Sequence, residues 1–335
     1  MKPFSVGNVI IDPPLILAPM SGVTCSAFRR LIKRLNPGAV GLVASEFLSV
    51  EGMTRNGRRT LEMMRFREEE KPLSIQIFGR NIARMRDAAR MIEDANADIV
   101  DINCGCPAPK VVKKGGGCVL MLEPGLLAQI IREIRSAISI PLTIKIRSGW
   151  DSANLNAIEI SKIAESEGVD SVTIHGRTRS QMYQGEADWE IVEQVADALK
   201  IPVCGSGDIK NRETALSRLK GDIAGLYIGR AALSNPYIFR EIVNGEDLNI
   251  RNDQIGAINI IKQYMELLLE DMPERAVIGH VKQLIGQITP RRWGWKTTVL
   301  RAQNLEDLLS LLFDATAQLS KVKDNTTLLL HEKIS

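Results

Sequence analysis

Short apolar runs recur along the first two thirds of the chain, and each leads into a stretch whose apolar residues fall three and four apart. The runs cover residues 15–18, 40–47, 73–78, 97–102, 142–146, 169–174, 203–207 and 223–228. Pro14, Pro72, Pro141 and Pro202 stand just before four of them, where a missing N–H does not interrupt a ladder. Successive runs begin about 20 to 45 residues apart, the period of βα units. In the intervening stretches Asn81 is placed to cap IARMRDAARMIEDA. Pro124 opens GLLAQIIREIRSAI, and Asp188 precedes WEIVEQVADALK. Eight strands alternating with helices predict an α/β fold, a (β/α)8 TIM barrel over residues 1–244. An open doubly wound sheet is the alternative, but it seldom needs eight regular units.

Beyond Asn244 the strand pattern stops, and helical periods fill residues 258–270, 276–288 and 305–319. Residues 245–335 therefore read as a smaller all-helical domain. From Arg275 to Arg301 the sequence holds six Lys or Arg and no acid, with Trp293 and Trp295 among them. Such a stretch suits phosphate contacts and base stacking; a solvated helix face with core tryptophans is the plainer alternative.

Composition narrows the class. Of the 335 residues 44% are apolar, as in ordinary soluble domains. No apolar run approaches the ~20 residues that cross a bilayer. The first residues, MKPFSVGNVIIDPPLIL, lack the unbroken apolar core of a signal peptide, so a cytoplasmic protein without a membrane partner is expected. Five cysteines make no disulfide framework. Cys104 and Cys106 form no CxxC pair with Cys118 or any other cysteine, so no metal is expected. A net charge of +3 leaves any nucleic-acid partner to local clustering. Nothing implies a protein partner, and a monomer is expected.

The densest chemistry lies in DINCGCPAPKVVKKGGG, residues 101–117. A strand ending in a Cys-Pro turn fixes the thiol of Cys106 at a sheet edge, and the glycines admit close backbone approach. A buried cysteine in a tight turn is the bland counterpart. If the barrel closes, one mouth collects Pro19, Met20, Ser21, Glu46, Gln76, Asn103 and Cys106 from the earlier strands. The later strands add Lys145, Arg147, His175, Arg177, Ser206, Gly207, Asp208, Gly229 and Arg230. Taken singly, Gln76 can cap a strand and His175 can be a satisfied core histidine. Polar residues at nearly every strand end are harder to attribute to packing, since barrel interiors are filled by branched apolar side chains. Lys145 inside TIKIR is a poor candidate for packing. GSGDI and YIGRAAL suit the usual phosphate corner of a barrel, with Arg230 as a charge-assisted clamp. A lysine, an amide and a phosphate corner outline a flat phosphorylated cofactor, and FMN fits. There is no GxGxxG fingerprint, so no Rossmann domain is indicated and any NAD(P)H would bind only transiently.

Together LAPMSGVT, SEF, SIQIFG, DINCGCPAPKVVKKGGG, IKIRSGWD, VTIHGRTRSQMYQGEADW, GSGDI and YIGRAAL resemble the tRNA-dihydrouridine synthase family over nearly the whole chain. CPAPKVVKKGGG looks most like its bacterial B-type branch. The resemblance implies FMN-dependent reduction of a D-loop uridine to 5,6-dihydrouridine with NADPH, in tRNA held at its D-loop and elbow. Cys106 matches the family's proton donor. Pro19, Met20, Ser21, Gln76, Lys145, His175, Ser206, Gly207, Asp208, Gly229 and Arg230 match positions at the flavin. Asn103, Lys145, His175 and Arg177 match positions around the target uracil. Ser206 departs from the family's usual Asn and loses the amide's second donor. A reductase of free pyrimidines or enones, a Schiff-base lyase using Lys145 and a non-catalytic tRNA-binding protein are the rival readings.

Overall fold

Register and pairing turn the recurring runs into a closed ring. The computed structural model describes residues 1–248 and 250–331, with side chains up to residue 321. Two short strands, β1 (Phe4–Val6) and β2 (Val9–Ile11), form an antiparallel hairpin. The barrel strands are β3 (Leu15–Leu17), β4 (Leu42–Ala44), β6 (Leu73–Phe78), β7 (Ile99–Cys104), β8 (Leu142–Arg147), β9 (Ser171–His175), β10 (Val203–Ser206) and β11 (Ile223–Ile228). Each pairs in parallel with the next. β4 bonds to both β3 and β6, and β11 returns to β3, so the sheet has no free edge. This is the expected TIM barrel. The run at 40–47 differs from the expectation of one strand: it breaks after Ala44, and a two-residue strand, β5 (Leu48–Ser49), resumes beside β6. Glu46 occupies the break and accepts the N–H of Gly22 after β3.

The helices follow the periodicity. Asn81 caps Ile82–Asp94 by accepting the Arg84 N–H at 3.0 Å. Pro124 begins Pro124–Arg135, and the Asp188 side chain accepts the N–H of Glu190 at the start of Glu190–Ala198.

The sequence reading missed the floor. Val6 and Ile11 of the hairpin pack with Ile16, Leu42, Ile99 and Tyr227. A Cβ on Gly225 would lie 2.7 Å from the Phe4 ring, so glycine is what allows that ring against β11. The ring's lower interior is apolar. Its upper interior is polar, as β7 to β10 show: register places Asn103 beside Lys145, and Arg147, His175 and Ser206 side by side.

The chain divides into two compact units. Residues Met1–Ala232 and Ile238–Glu246 form the barrel; Leu233–Tyr237 and the chain from Asp247 form the second. The second contains the helices Gln254–Asp271, Glu274–Ile288, Gly294–Leu300 and Leu305–His331. Its tryptophans belong to packing: Trp293 is buried and its ring centroid lies 5.6 Å from that of half-buried Trp295, whose Nε1–H donates to Gln254. Half the basic stretch caps backbone. Lys282 donates to Ala302 O, Arg292 to Arg251 O, and Lys296 to Thr289 O. Exposed Arg275, Arg291 and Arg301 remain for other contacts. No helix among the described residues is long and apolar enough to cross a membrane.

Candidate active site

The turn after β7 is built from side chains on three strands. Asn103 Oδ1 accepts the backbone N–H of Cys106 at 2.9 Å and that of Gly105 at 3.3 Å, folding the chain back through Cys106. Asn103 Nδ2 donates to Gln76 Oε1 at 2.7 Å, and Gln76 Nε2 donates to Asp101 Oδ2 at 2.5 Å. Thr143 Oγ1 donates to the other oxygen of Asp101 at 2.6 Å. Cys106 itself is half-buried. Its carbonyl accepts the Cys118 N–H at 3.3 Å, and a Cβ on Gly117, where φ is +61°, would fall 2.5 Å from that carbonyl oxygen. The last glycine of the triplet thus serves the turn's own backbone. Arg147 closes the other side. Its Nε donates to Gly105 O at 3.0 Å and its Nη1 to Thr178 O and Met182 O, so the cysteine turn is tied to the loop after β9.

The electrostatics separate the titrating groups. Burial raises the Cys106 thiol pKa, only partly opposed by the Ala108 N–H and by Arg147 and Lys110. Burial, then the charge of Arg147, brings Lys145 down to about 8; Asp101 acts in the opposite sense. Among the described residues no acceptor reaches its ammonium. Burial also raises the pKa of Asp101. His175 is lowered to about 2 by burial and then by Lys145 and Arg147, so it stays neutral. Its Nδ1 accepts the Arg177 N–H at 3.3 Å, which puts the ring proton on Nε2, free to donate.

A second cluster sits at the ends of β9 to β11. Arg177, buried, donates to both oxygens of Asp208, at 2.7 and 2.9 Å, and to the carbonyls of Gln184 and Gly185. Burial alone would raise Asp208; the Ala187 N–H and Arg177 outweigh it and lower its pKa. Gly207, at φ +123°, lies so close to Ala187 that a Cβ would come within 2.6 Å of it. Arg230, largely exposed, reaches Asp208 at 3.4 Å and stacks over Tyr183 at 4.8 Å. After β3, the Met20 N–H donates to Thr24 Oγ1 at 3.0 Å, and Ala18 and Met20 line Gly229. Pro19 is half-buried and Ser21 exposed.

The expected residues therefore fall into groups. Gln76, Asn103 and Cys106 share one hydrogen-bond chain, Lys145 and His175 stand beside it by register, and Arg177, Asp208 and Arg230 form the far corner. Gln76 lies fully buried beneath Asn103, and Arg177 is part of the wall. Among the described residues its Nη1 has no partner and is buried, as is Arg179 Nε. Unmatched donors in this corner suit an anionic ligand rich in acceptors. Sequence reasoning left Asp101 and Tyr183 out of the site, and put Arg147 at the mouth without giving it a role. Asp101 carried a signal, because it alternates with Asn103 along β7 and so shares its inward face.

A parallel barrel with its polar side chains gathered at the strand ends defines a TIM-barrel enzyme. The chain belongs to the dihydrouridine synthase family, whose model matches residues 16–326. A probable tRNA-dihydrouridine synthase of Rickettsia bellii is 34% identical over 98% of this chain and 99% of its own. The tRNA-dihydrouridine synthase B of Pseudomonas syringae pv. tomato is 36% identical over 97% of this chain and 94% of its own. Among solved structures, a 2-naphthoyl-CoA reductase complex superposes with a TM-score of 0.57 at 15% identity, covering 73% of this chain and 52% of that one. The chain is thus an oxidoreductase of the dihydrouridine synthase type.

Proposed function

We propose that the barrel reduces a uridine of the tRNA D-loop to 5,6-dihydrouridine, with FMN bound at its mouth and NADPH as the transient reductant. The observation that carries this reading is the thiol of Cys106, in a turn just past β7 that Asn103 and Arg147 hold in place, with its pKa raised by burial. FMN, once held there, would supply the hydride for uracil C6. Cys106 gives its proton to C5, and a raised thiol pKa suits an acid better than a nucleophile. Asn103 orients the uracil edge with its remaining amide hydrogen. Lys145 and the Nε2–H of His175 donate to polar atoms of uracil or flavin, where negative charge gathers during reduction.

The donor set fits FMN. Pro19, Met20 and Ser21 would border it, with Gln76 behind its pyrimidine rim. Ser206, Gly207, Asp208, Gly229 and Arg230 would form the phosphate corner, where Arg230 brings a side chain 58% exposed to solvent. Arg177 would steady that corner through Asp208 and face the target with its unpartnered Nη1. Residues 1–244 would carry catalysis. Residues 245–335 would grip tRNA near its elbow, with exposed Arg275, Arg291 and Arg301 on its phosphates, aided by Lys110, Lys113 and Lys114 of the barrel. We assign the work to a monomer in the cytoplasm.

The test is mass analysis of nucleosides after unmodified tRNA is incubated with the purified protein and NADPH. Dihydrouridine is expected from the native chain. Cys106→Ala should still bind FMN and oxidise NADPH but make little product. Full product formation by that variant would end the proton-donor assignment. Oxidation of NADPH stimulated by free uracil and not by tRNA would select a free-pyrimidine reductase instead.

A further inference from the structure

The chain of bonds behind Cys106 has a direction, and both of its ends are fixed. At one end the backbone N–H groups of Gly105 and Cys106 can only donate, so Asn103 must turn its oxygen to them, as it does at 3.3 and 2.9 Å. Its NH2 must then face Gln76, whose oxygen accepts at 2.7 Å, and the Gln76 NH2 is left facing Asp101 at 2.5 Å. At the other end Asp101 accepts with both oxygens, from Gln76 Nε2 at 2.5 Å and from Thr143 Oγ1 at 2.6 Å. Asp101 is 2% exposed and Gln76 fully buried, so no water competes for these groups. The partners lie on β6, β7 and β8, and among the described residues the two amides bond to no side chain but each other and Asp101.

We infer that Asp101 is a positioning residue: by accepting only, it fixes the amide orientations of Gln76 and Asn103 and thereby holds the Cys106 turn in its working shape. This rests on the assignment of Cys106 as proton donor. An asparagine at 101 has nearly the same shape but can donate. Gln76 could then reverse, offer its NH2 to Asn103, and turn the Asn103 NH2 towards the Cys106 N–H, donor against donor. The turn would lose its anchor in that fraction of molecules.

The experiment compares Asp101→Asn with the double variant Asp101→Asn, Gln76→Glu. In the double variant a glutamate at 76 accepts from both neighbours, so Asn103 is again forced into its native orientation. The readout is the rate at which iodoacetamide alkylates Cys106 in the full chain, followed by mass spectrometry across pH. Loss of one hydrogen-bond anchor should make alkylation of the single variant about tenfold faster, and the double variant should return to within about twofold of the native rate. A role in folding alone would lower the melting temperature of both variants without this reversal. Native alkylation of the single variant, or a double variant as fast as the single, overturns the inference. If the single variant does not fold, recovery of folded protein in the double supports it, and failure of both overturns it. Full dihydrouridine formation by Cys106→Ala would remove the proton-donor role while leaving the alkylation result to stand on its own.

Discussion

Lys145 gives the structure's clearest conflict between stability and function. Its ammonium meets no acceptor among the described residues, and its surroundings bring its pKa from 10.5 to about 8. At about 1.4 kcal/mol for each pKa unit, that change corresponds to about 3 kcal/mol against the charged form in the folded state. The lysine is only half-buried and water at the mouth offsets part of the cost, so Lys145→Met should stabilise the flavin-free barrel by about 1–3 kcal/mol. The sign of the pH dependence follows. Below the folded pKa both states hold the proton and the full penalty is present. Between about 8 and 10.5 the folded state releases a proton that the unfolded state keeps, so native stability rises with pH and the advantage of methionine shrinks. Native-state hydrogen exchange of the barrel strands, compared at about pH 7 and about pH 9.5, reads the stability of this unit by itself. The variant should be nearly inactive. A less stable Lys145→Met, or a margin that does not change with pH, would refute the reasoning.

Other outcomes follow from the same geometry. Gly117→Ala forces a Cβ to within 2.5 Å of the Cys106 carbonyl oxygen at φ +61°; it should cost about 1–3 kcal/mol in thermal unfolding and lose most dihydrouridine formation. Glu70→Gln breaks a pair in which Arg29 Nε lies 2.5 Å from a carboxylate, with both side chains buried, and should destabilise the barrel by about 3 kcal/mol. Arg29 also donates to Thr24 O, and the Thr24 hydroxyl holds the Met20 N–H, so activity per folded molecule should fall, but less than in Cys106→Ala. Single-turnover reduction of tRNA should hold steady through neutral pH and decline as pH rises past about 8, where Lys145 loses its charge. A rate that climbs through that range would count against a charged lysine.

The barrel was legible because its strands and helices announce themselves locally. Proline before a run, a capping asparagine and a change of period each depend on neighbours within a few residues. The floor was not. Phe4 to Val6 and Val9 to Ile11 are too short to stand out, although Gly7-Asn8 between them is a hairpin signal that a closer reading would have used. Cys106, Asn103 and Lys145 could be placed at strand ends from sequence. The bonds that orient them could not, because Thr143, Asp101 and Gln76 meet across 42 and 25 residues. Arg177 shows the same limit. Its place in HGRTR marks it as functional, but only the folded loop reveals that Asp208 holds it. The basic stretch from Arg275 to Arg301 misled in part, since charge along a sequence does not show which cations end a helix and which meet solvent.

The hairpin against Gly225 has a practical meaning for anyone who trims this molecule. The first eleven residues are a stopper driven into the underside of the ring. Pulling it would leave Ile16, Leu42 and Ile99 facing solvent and give water a route upward to the buried carboxylate of Asp101. A shortened enzyme would then fail from beneath, at the opposite end from its chemistry, with every residue of the active centre still in the chain.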